Sequence, residues 1–435
     1  MSDLHKKIGI VIINYNKHDA TLKCLESIAA SKGFDTDEIS YDIYIVDSSS
    51  NSNSSKLTTS SFNDKFHLTT LSSDFGVSGA IYIGARRALD NNCDYIFVVN
   101  ETITLDEYAL ITLYNYMENN PNVGMASGKV YYTHMPDYIQ QYGVSIDFKH
   151  YRAFALYSDA LDNDSLPNEV FCDATGWYGV LIPANVIRKI GGISQEGYIY
   201  WDDIDYCYQV KQAGYDIVAY GNAKIYNSAN PFHRSYDTKL NYYSTRNALH
   251  FFMKYTPAEK CAKMCNVLLK TIFDSIYLRK IGQAHNMAQS DISALLDAIN
   301  GIKGKAHDNR ILDNDETGMG FVSFFEEQEA IYMEEDDPFL EQVIRQINPD
   351  IIFKQFYDKD TVSIIRCHSI LDLQDFNYNL EYTQKVVYID AQYRMVSNED
   401  EITQIKNYKS NLQQFLYIFQ PAMLRRISEI RNLEF

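Results

Sequence analysis

The 435-residue chain has no CxxC pair, no run of 18 apolar residues, and none of the short glycine signatures of the common nucleotide-binding and hydrolase folds. Each absence removes a class. The seven cysteines, Cys24, Cys93, Cys172, Cys207, Cys261, Cys265 and Cys367, are scattered and odd in number, which predicts reduced, buried thiols rather than a disulfide framework. Cys261 and Cys265 stand one helical turn apart, but no His or further Cys lies close by to complete a zinc site. Without a long apolar run no membrane-spanning helix is expected, and Met1-Ser2-Asp3-Leu4-His5-Lys6-Lys7 has no signal-peptide core, so the expected location is the cytoplasm. The first apolar strand is not followed by GxGxxG, which weighs against a dinucleotide-binding oxidoreductase; there is also no GxxxxGK[ST] phosphate loop and no GxSxG elbow. Basic residues are outnumbered, 39 Lys and Arg against 57 Asp and Glu, for a net charge of −18. That balance excludes a general nucleic-acid binder, and an anionic substrate would need local positive charge or a metal.

What is present is a soluble-protein composition, 46% hydrophobic and 22% charged with 35 Tyr and 22 Phe, on a chain long enough for two or three units. Residues 8–13 are a β-branched apolar run, read as a strand buried on both faces. A helix over 18–30, strands near 43–46 and 67–71, a helix over 74–89 and a strand over 95–99 follow. This alternation predicts an α/β fold with a mainly parallel sheet, whose ligands lie beyond the carboxyl ends of the strands. Candidates at those ends are Asn14, Tyr15 and Asn16, Asp47, Asp74 with Gly76 and Gly79, and Asn100 with Glu101. Taken singly, each is ordinary turn chemistry.

Further on, a helix is expected over 106–119, strands over 129–132, 173–182 and 217–220, and an aromatic insertion over 133–168. Between them Tyr200-Trp201-Asp202-Asp203-Ile204-Asp205-Tyr206 places three carboxylates within four positions. Carboxylates at that density serve a metal, a proton transfer or a helix N-terminus, here a helix over 204–213. From residue 236 the pattern turns helical, with Lys260, Lys263, Lys270, Arg279 and Lys280 among apolar residues, a packed helix pair with a basic face being favoured over a membrane-surface helix. Residues 306–320 read as a linker, and 321–435 as alternating helical and strand-like pieces.

In their common order these motifs resemble the family 2 glycosyltransferases, in particular the bacterial rhamnosyl- and galactofuranosyltransferase-like members. The resemblance rests on Val11-Ile12-Ile13-Asn14-Tyr15-Asn16, Ile45-Val46-Asp47, Asp74-Phe75-Gly76-Val77-Ser78-Gly79, Val99-Asn100-Glu101-Thr102, and Gly191-Gly192 followed by Trp201-Asp202-Asp203-Ile204-Asp205. Tyr242-Tyr243 with Arg246-Asn247 is similar to the family's helical tail. The resemblance implies a GT-A fold over 1–235, a helical region over 236–305, and a C-terminal domain over 321–435 about which it says nothing. It implies an inverting transferase that moves a sugar from a UDP- or dTDP-sugar to a glycan or lipid-linked acceptor in cell-surface polysaccharide synthesis, with Mn²⁺ or Mg²⁺.

Carried over by position, Asp203 is the general base, with Asp202 and Asp205 beside it. Asn14, Tyr15, Asn16, Asp47, Asp74, Gly76, Gly79 and Asn100 border the donor. Trp201, Tyr200 and Trp177 are candidate sugar contacts, while Glu101 and His233 are candidate metal ligands. Departures from the pattern are Glu101 for Asp, Ile81 and Tyr82 for the usual Asn, and Asn227 where a metal-binding His is common. They motivate an alternative, a non-catalytic nucleotide- or glycan-binding assembly subunit. The C-terminal region is a candidate contact for a homo-oligomer or biosynthetic complex, and residues 254–280 a candidate peripheral contact with the inner face of the cell membrane.

Overall fold

The computed structural model describes residues 5–34, 36, 38–48, 65–229, 237–281, 284–314, 320–375, 385–391, 393–397, 401, 405 and 407–432. The chain divides into two compact units, residues 1–229 with 303–305, and residues 230–302 with 306–435.

The first unit begins with β1 (Lys6–Asn14), α1 (His18–Ala29), β2 (Ile39–Asp47), β3 (Phe66–Thr70), α2 (Gly76–Asp90) and β4 (Tyr95–Asn100). It continues through β5 (Ile103–Leu105), α3 (Ala109–Asn119), β6 (Val123–Tyr132), β7 (Met135–Gln141), β8 (Val144–Asp147), β9 (Arg152–Ala155) and β10 (Glu169–Phe171). Last come β11 (Tyr178–Pro183), α4 (Ala184–Ile190), α5 (Asp202–Gln212) and β12 (Asp216–Asn227). The main sheet runs β10-β12-β6-β11-β4-β1-β2-β3. Strands β3, β2, β1 and β4 pair in parallel, as do β6 and β12, whereas β11 is antiparallel to both β4 and β6. Six strands of the central seven therefore point one way, and their carboxyl ends form one edge. This is the mainly parallel α/β sheet that the alternating pattern predicts.

Burial on both faces explains the apolar run in β1. Ile8, Ile10 and Ile12 pack with Cys24, Leu25 and Ile28 of α1 and Leu110 and Leu113 of α3. The alternate residues, Gly9 and Val11, face α2: a Cβ on Gly84 would stand 2.4 Å from Val11 Cγ1, so the missing side chain lets helix and sheet approach.

Two strands are longer than the sequence pattern predicts, for related reasons. Strand β6 starts at Val123 rather than at 129. A Cβ on Gly124 would stand 2.7 Å from the Tyr215 side chain and one on Gly128 2.4 Å from the Ala223 carbonyl, so both glycines serve close packing inside a strand. Strand β12 runs on past the expected end at Tyr220 to Asn227, through a register shift between Tyr220 and Lys224. Conversely, residues 173–177 stand outside β11. Asp173 there accepts Lys211 Nζ at 2.5 Å and the Ile146 amide at 2.9 Å.

The second unit contains α6 (Thr238–Tyr255), α7 (Cys261–Ile281), α8 (His285–Ile299), α9 (Gly320–Glu326), β13 (Ala330–Met333) and α10 (Pro338–Ile347). Then follow β14 (Ile352–Lys354), β15 (Val362–Arg366), β16 (Val386–Ile389), β17 (Met395–Val396) and α11 (Tyr408–Arg431). Its sheet is ordered β14-β13-β15-β16-β17, parallel except for β17. Arg246 is fully buried against the rings of Tyr242 and Tyr243, 5.2 and 4.9 Å from their centroids. Tyr242 donates to Asp297 at 2.6 Å, and Asp297 also meets Arg310 at 3.0 Å. Part of the basic set on the helices serves ion pairs within this unit: Arg279 meets buried Asp291 at 2.6 Å, and Lys270 meets Asp274 at 2.7 Å. No helix among the described residues is long and apolar enough to cross a membrane.

Candidate active site

The register of the sheet brings the strand-end candidates together. Asn14 lies opposite Asp47, and Ile13 opposite Asn100. Asn14 and Asp47 are both fully buried, and the Asn14 amide donates to Asp47 Oδ1 at 2.7 Å while its carbonyl accepts the Thr21 hydroxyl at 2.8 Å. The Asn14 side chain thus ties the ends of β1 and β2 to α1. Tyr15 and Asn16 are exposed beyond it, Asn16 in the left-handed region at φ 57°.

At the end of β4 the chain makes an Asn-led turn. Asn100 Oδ1 accepts the Thr102 amide at 3.0 Å and the Thr102 hydroxyl at 2.7 Å. The same hydroxyl lies 2.8 Å from Asn227 Oδ1, which also accepts the Ala229 amide at 3.0 Å. One hydroxyl proton is therefore shared by two amide oxygens, each of which has a backbone donor of its own. Glu101, between them, meets Lys17 Nζ at 3.3 Å; the Glu101 side chain is mostly enclosed, and Lys17 is exposed.

The loop before α2 forms the next wall. Asp74 Oδ1 accepts the Gly76 amide at 3.0 Å, and Oδ2 accepts the Tyr198 hydroxyl and lies 3.3 Å from Lys305 Nζ. Burial pushes the Asp74 carboxyl upward, but the Tyr198 hydroxyl, the Gly76 amide and Lys305 outweigh it and hold the group below its ordinary value of 3.8. Gly76 sits at φ +70°, and a Cβ there would stand 2.2 Å from the Tyr198 carbonyl, so only glycine fits. The Ser78 amide donates to that carbonyl at 3.1 Å. Gly79 is buried under Phe75, 2.5 Å from where its Cβ would be.

Tyr198 thereby couples this loop to the acidic turn. Tyr198, Tyr200 and Trp201 all have positive φ, at 67°, 62° and 65°. For residues with a Cβ each such conformation costs roughly 1–3 kcal/mol, a strain that concentrates where a side chain must be presented in one direction. Trp201 is the N-cap of α5, and Asp202, Asp203 and Asp205 fill its first turn, so the cluster does stand at a helix N-terminus.

The three carboxylates differ sharply in surroundings. Asp202 is buried, and its Oδ2 accepts Trp177 Nε1 at 2.9 Å; burial raises its carboxyl above the ordinary value, with the Trp177 bond opposing. Asp205 Oδ2 accepts Gln209 Nε2 at 2.8 Å, one turn along the helix. Asp203 is half-buried, and its Oδ1 accepts the Ile204 amide at 2.8 Å. Trp177 is itself buried and tilted against Tyr206, with centroids 6.1 Å apart. It immediately precedes β11, whose Tyr178 pairs with Val99 of β4, so the indole links the acidic turn to the Asn100–Glu101 strand end. Trp201 and Tyr200 are half-buried.

His233 lies outside the described residues, as does most of the polar loop after Asp47. Among the described residues no three His, Cys, Asp or Glu side chains come together as a metal site. Among the described residues, the donor set around Glu101 does not fit a divalent cation. The two neighbouring amide oxygens already accept hydrogen bonds, and the one carboxylate faces an ammonium, whereas a hard cation needs several oxygen ligands. Lys17, Tyr198 and Lys305 are site-lining residues that motif reading passed over. The first stands three positions after Asn14, and the second follows a glycine close to the acidic cluster, which is the only signal the sequence offers.

Residues 9–176 match the glycosyl transferase family 2 model. The matched stretch holds Asn14, Asp47, Asp74, Asn100 and Glu101, and ends just before Trp177 and the acidic turn. That match supports a glycosyl transfer function, and the first unit that contains it is the mainly parallel α/β sheet described above. No curated protein matches the chain. Among solved structures, the crystal structure of GalNAc-T7 with UDP, GalNAc and Mn²⁺ is similar over 61% of this chain and 51% of that one, at 10% identity and a TM-score of 0.46. The chain thus spans about half the length of that protein.

Proposed function

We propose that this chain is an inverting glycosyltransferase that uses a UDP- or dTDP-sugar and a glycan or lipid-linked acceptor. The observation that carries the reading is the convergence on one sheet edge of buried Asp47, the Asn100–Glu101 turn, the Asp74–Gly76 loop and the acidic first turn of α5. Two specific links, Tyr198 to the Gly76 loop and Trp177 to Asp202, hold that turn against the edge.

In this reading Asn14, Tyr15, Asn16 and Asp47 border the nucleotide base, and the Asp74–Gly79 loop borders the ribose and phosphates. The acceptor oxygen attacks the anomeric carbon as its proton passes to the Asp203 carboxylate. The bond between that carbon and the diphosphate oxygen breaks, and its electron pair leaves with the diphosphate. A single displacement of this kind inverts the anomeric centre. Asp202 and Trp177 are positioning residues, because both are buried and act on the turn that presents Asp203. Asp205 and Gln209 brace the same turn from its outer side. Trp201 and Tyr200 offer ring faces for a sugar.

The test is an assay of UDP- and dTDP-sugars with mixed glycan acceptors, read by release of nucleoside diphosphate and by product mass. Transfer from one donor with an inverted linkage supports the reading. Tight nucleotide binding without transfer to any acceptor or to water would favour a binding subunit instead.

A further inference from the structure

We infer that Lys17 is the cation that receives the donor diphosphate, and that donor binding does not require a divalent ion. The inference rests on the transferase reading above and deepens it at one point, the charge that must accumulate on the leaving diphosphate. Three features of the strand ends lead there.

The first is the pairing of Glu101. Where the family resemblance places a metal-binding carboxylate, this chain has Glu101 with Lys17 Nζ 3.3 Å away. The second is that the flanking oxygens are occupied. Asn100 Oδ1 and Asn227 Oδ1 accept the Thr102 and Ala229 amides and share the Thr102 hydroxyl, so recruiting either to a cation would strip a half-buried donor of its partner. The third is the position of Lys17 itself. It is the N-cap of α1, where no side-chain cap bond is made, and a lysine there supplies no acceptor while adding positive charge to the positive end of the helix. That placement is unfavourable for the helix and favourable for an anion. The first-turn acid Asp19 and His18 are the other ionisable groups of this turn, and among the described residues Glu101 is the carboxylate that pairs with Lys17.

Glu101 is mostly enclosed, but the Lys17 end of this 3.3 Å pair is exposed, and solvent at the ammonium weakens the pairing. Lys17 can therefore turn from Glu101 to a diphosphate, which carries more charge and more acceptor oxygens than a carboxylate. Glu101 then acts as a holder that keeps the ammonium at the strand ends before the donor arrives. The residues that border the nucleotide, Asn14 to Asn16, immediately precede Lys17, so base and diphosphate would be read by consecutive positions of one loop.

Calorimetric titration of UDP and dTDP into the full chain, with Mn²⁺ or with EDTA, tests the inference. The wild type is expected to bind one of the nucleotides with an affinity that changes less than about twofold between the two conditions. Lys17→Met should weaken binding by about tenfold or more, a step of about 1.4 kcal/mol. Lys17→Arg should restore most of it, and Glu101→Gln should bind at least as tightly as the wild type. Binding that appears only with Mn²⁺ and is lost in Glu101→Gln would overturn the inference while leaving the transferase reading intact. No nucleotide binding under either condition would overturn both.

Discussion

The indole Nε1 of Trp177 donates to Asp202 Oδ2 at 2.9 Å, and both side chains are buried. This bond joins the start of β11 to the first turn of α5 and gives a buried carboxylate a donor that water would otherwise supply.

Burial raises the Asp202 carboxyl above 3.8, which fixes the sign of its effect on stability. Below the unfolded value both states are protonated and the group costs nothing. As pH rises from there towards the raised folded value, the unfolded chain releases its proton first, and stability falls. Asp202→Asn should therefore flatten the decline of thermal stability with pH above about 4, and should be the more stable protein near pH 7. Trp177→Phe should have the opposite effect, losing about 1–3 kcal/mol because the carboxylate is left without its donor. Melting temperatures from pH 4 to 8 for the three proteins check both signs, and a wild-type pH profile in Asp202→Asn would contradict the assignment.

Gly76 is expected to tolerate no side chain. At φ +70° with the Tyr198 carbonyl 2.2 Å from the position of a Cβ, Gly76→Ala must displace either α2 or the strained 198–201 segment. We expect a loss of about 1–3 kcal/mol in denaturant unfolding together with weaker nucleotide binding. Gly192→Ala is the comparison: its Cβ would meet only the ring of Tyr82, so binding should persist.

In the second unit, Arg246→Ala should cost about 3–5 kcal/mol, since it removes a fully buried guanidinium from the rings of Tyr242 and Tyr243 and from the Asn247 oxygen at 3.0 Å. Chemical denaturation monitored by far-ultraviolet circular dichroism measures it. A change under about 1 kcal/mol would mean that the packing closes over the gap.

How far the sequence foretold this structure depends on whether the signal was local. The apolar run of β1 and the polar residues that end β1, β2 and β4 are readable because a parallel sheet buried on both faces requires them, and Gly76 because it ends the turn that leads into α2. The full lengths of β6 and β12, which contain Gly124, Gly128 and Gly221, escaped the pattern for a physical reason. The sequence cannot distinguish a glycine that bends the chain from one that lets a neighbour approach. The Trp177–Asp202 bond and the Lys17–Glu101 pair were out of reach because each joins residues that only the folded sheet brings together. The three aspartates looked equivalent as a string, yet helix geometry buries Asp202, braces Asp205 on Gln209 and leaves Asp203 half-buried.

That difference among the aspartates leads to the measurement that bears most directly on the account: glycosyl transfer by Asp203→Asn beside its nucleotide binding. The substitution keeps the volume of the side chain and removes its capacity to take a proton. The account predicts a fall in transfer rate of about 10²–10⁴-fold with nucleotide affinity within about twofold of the wild type. Transfer at the wild-type rate by Asp203→Asn would contradict it.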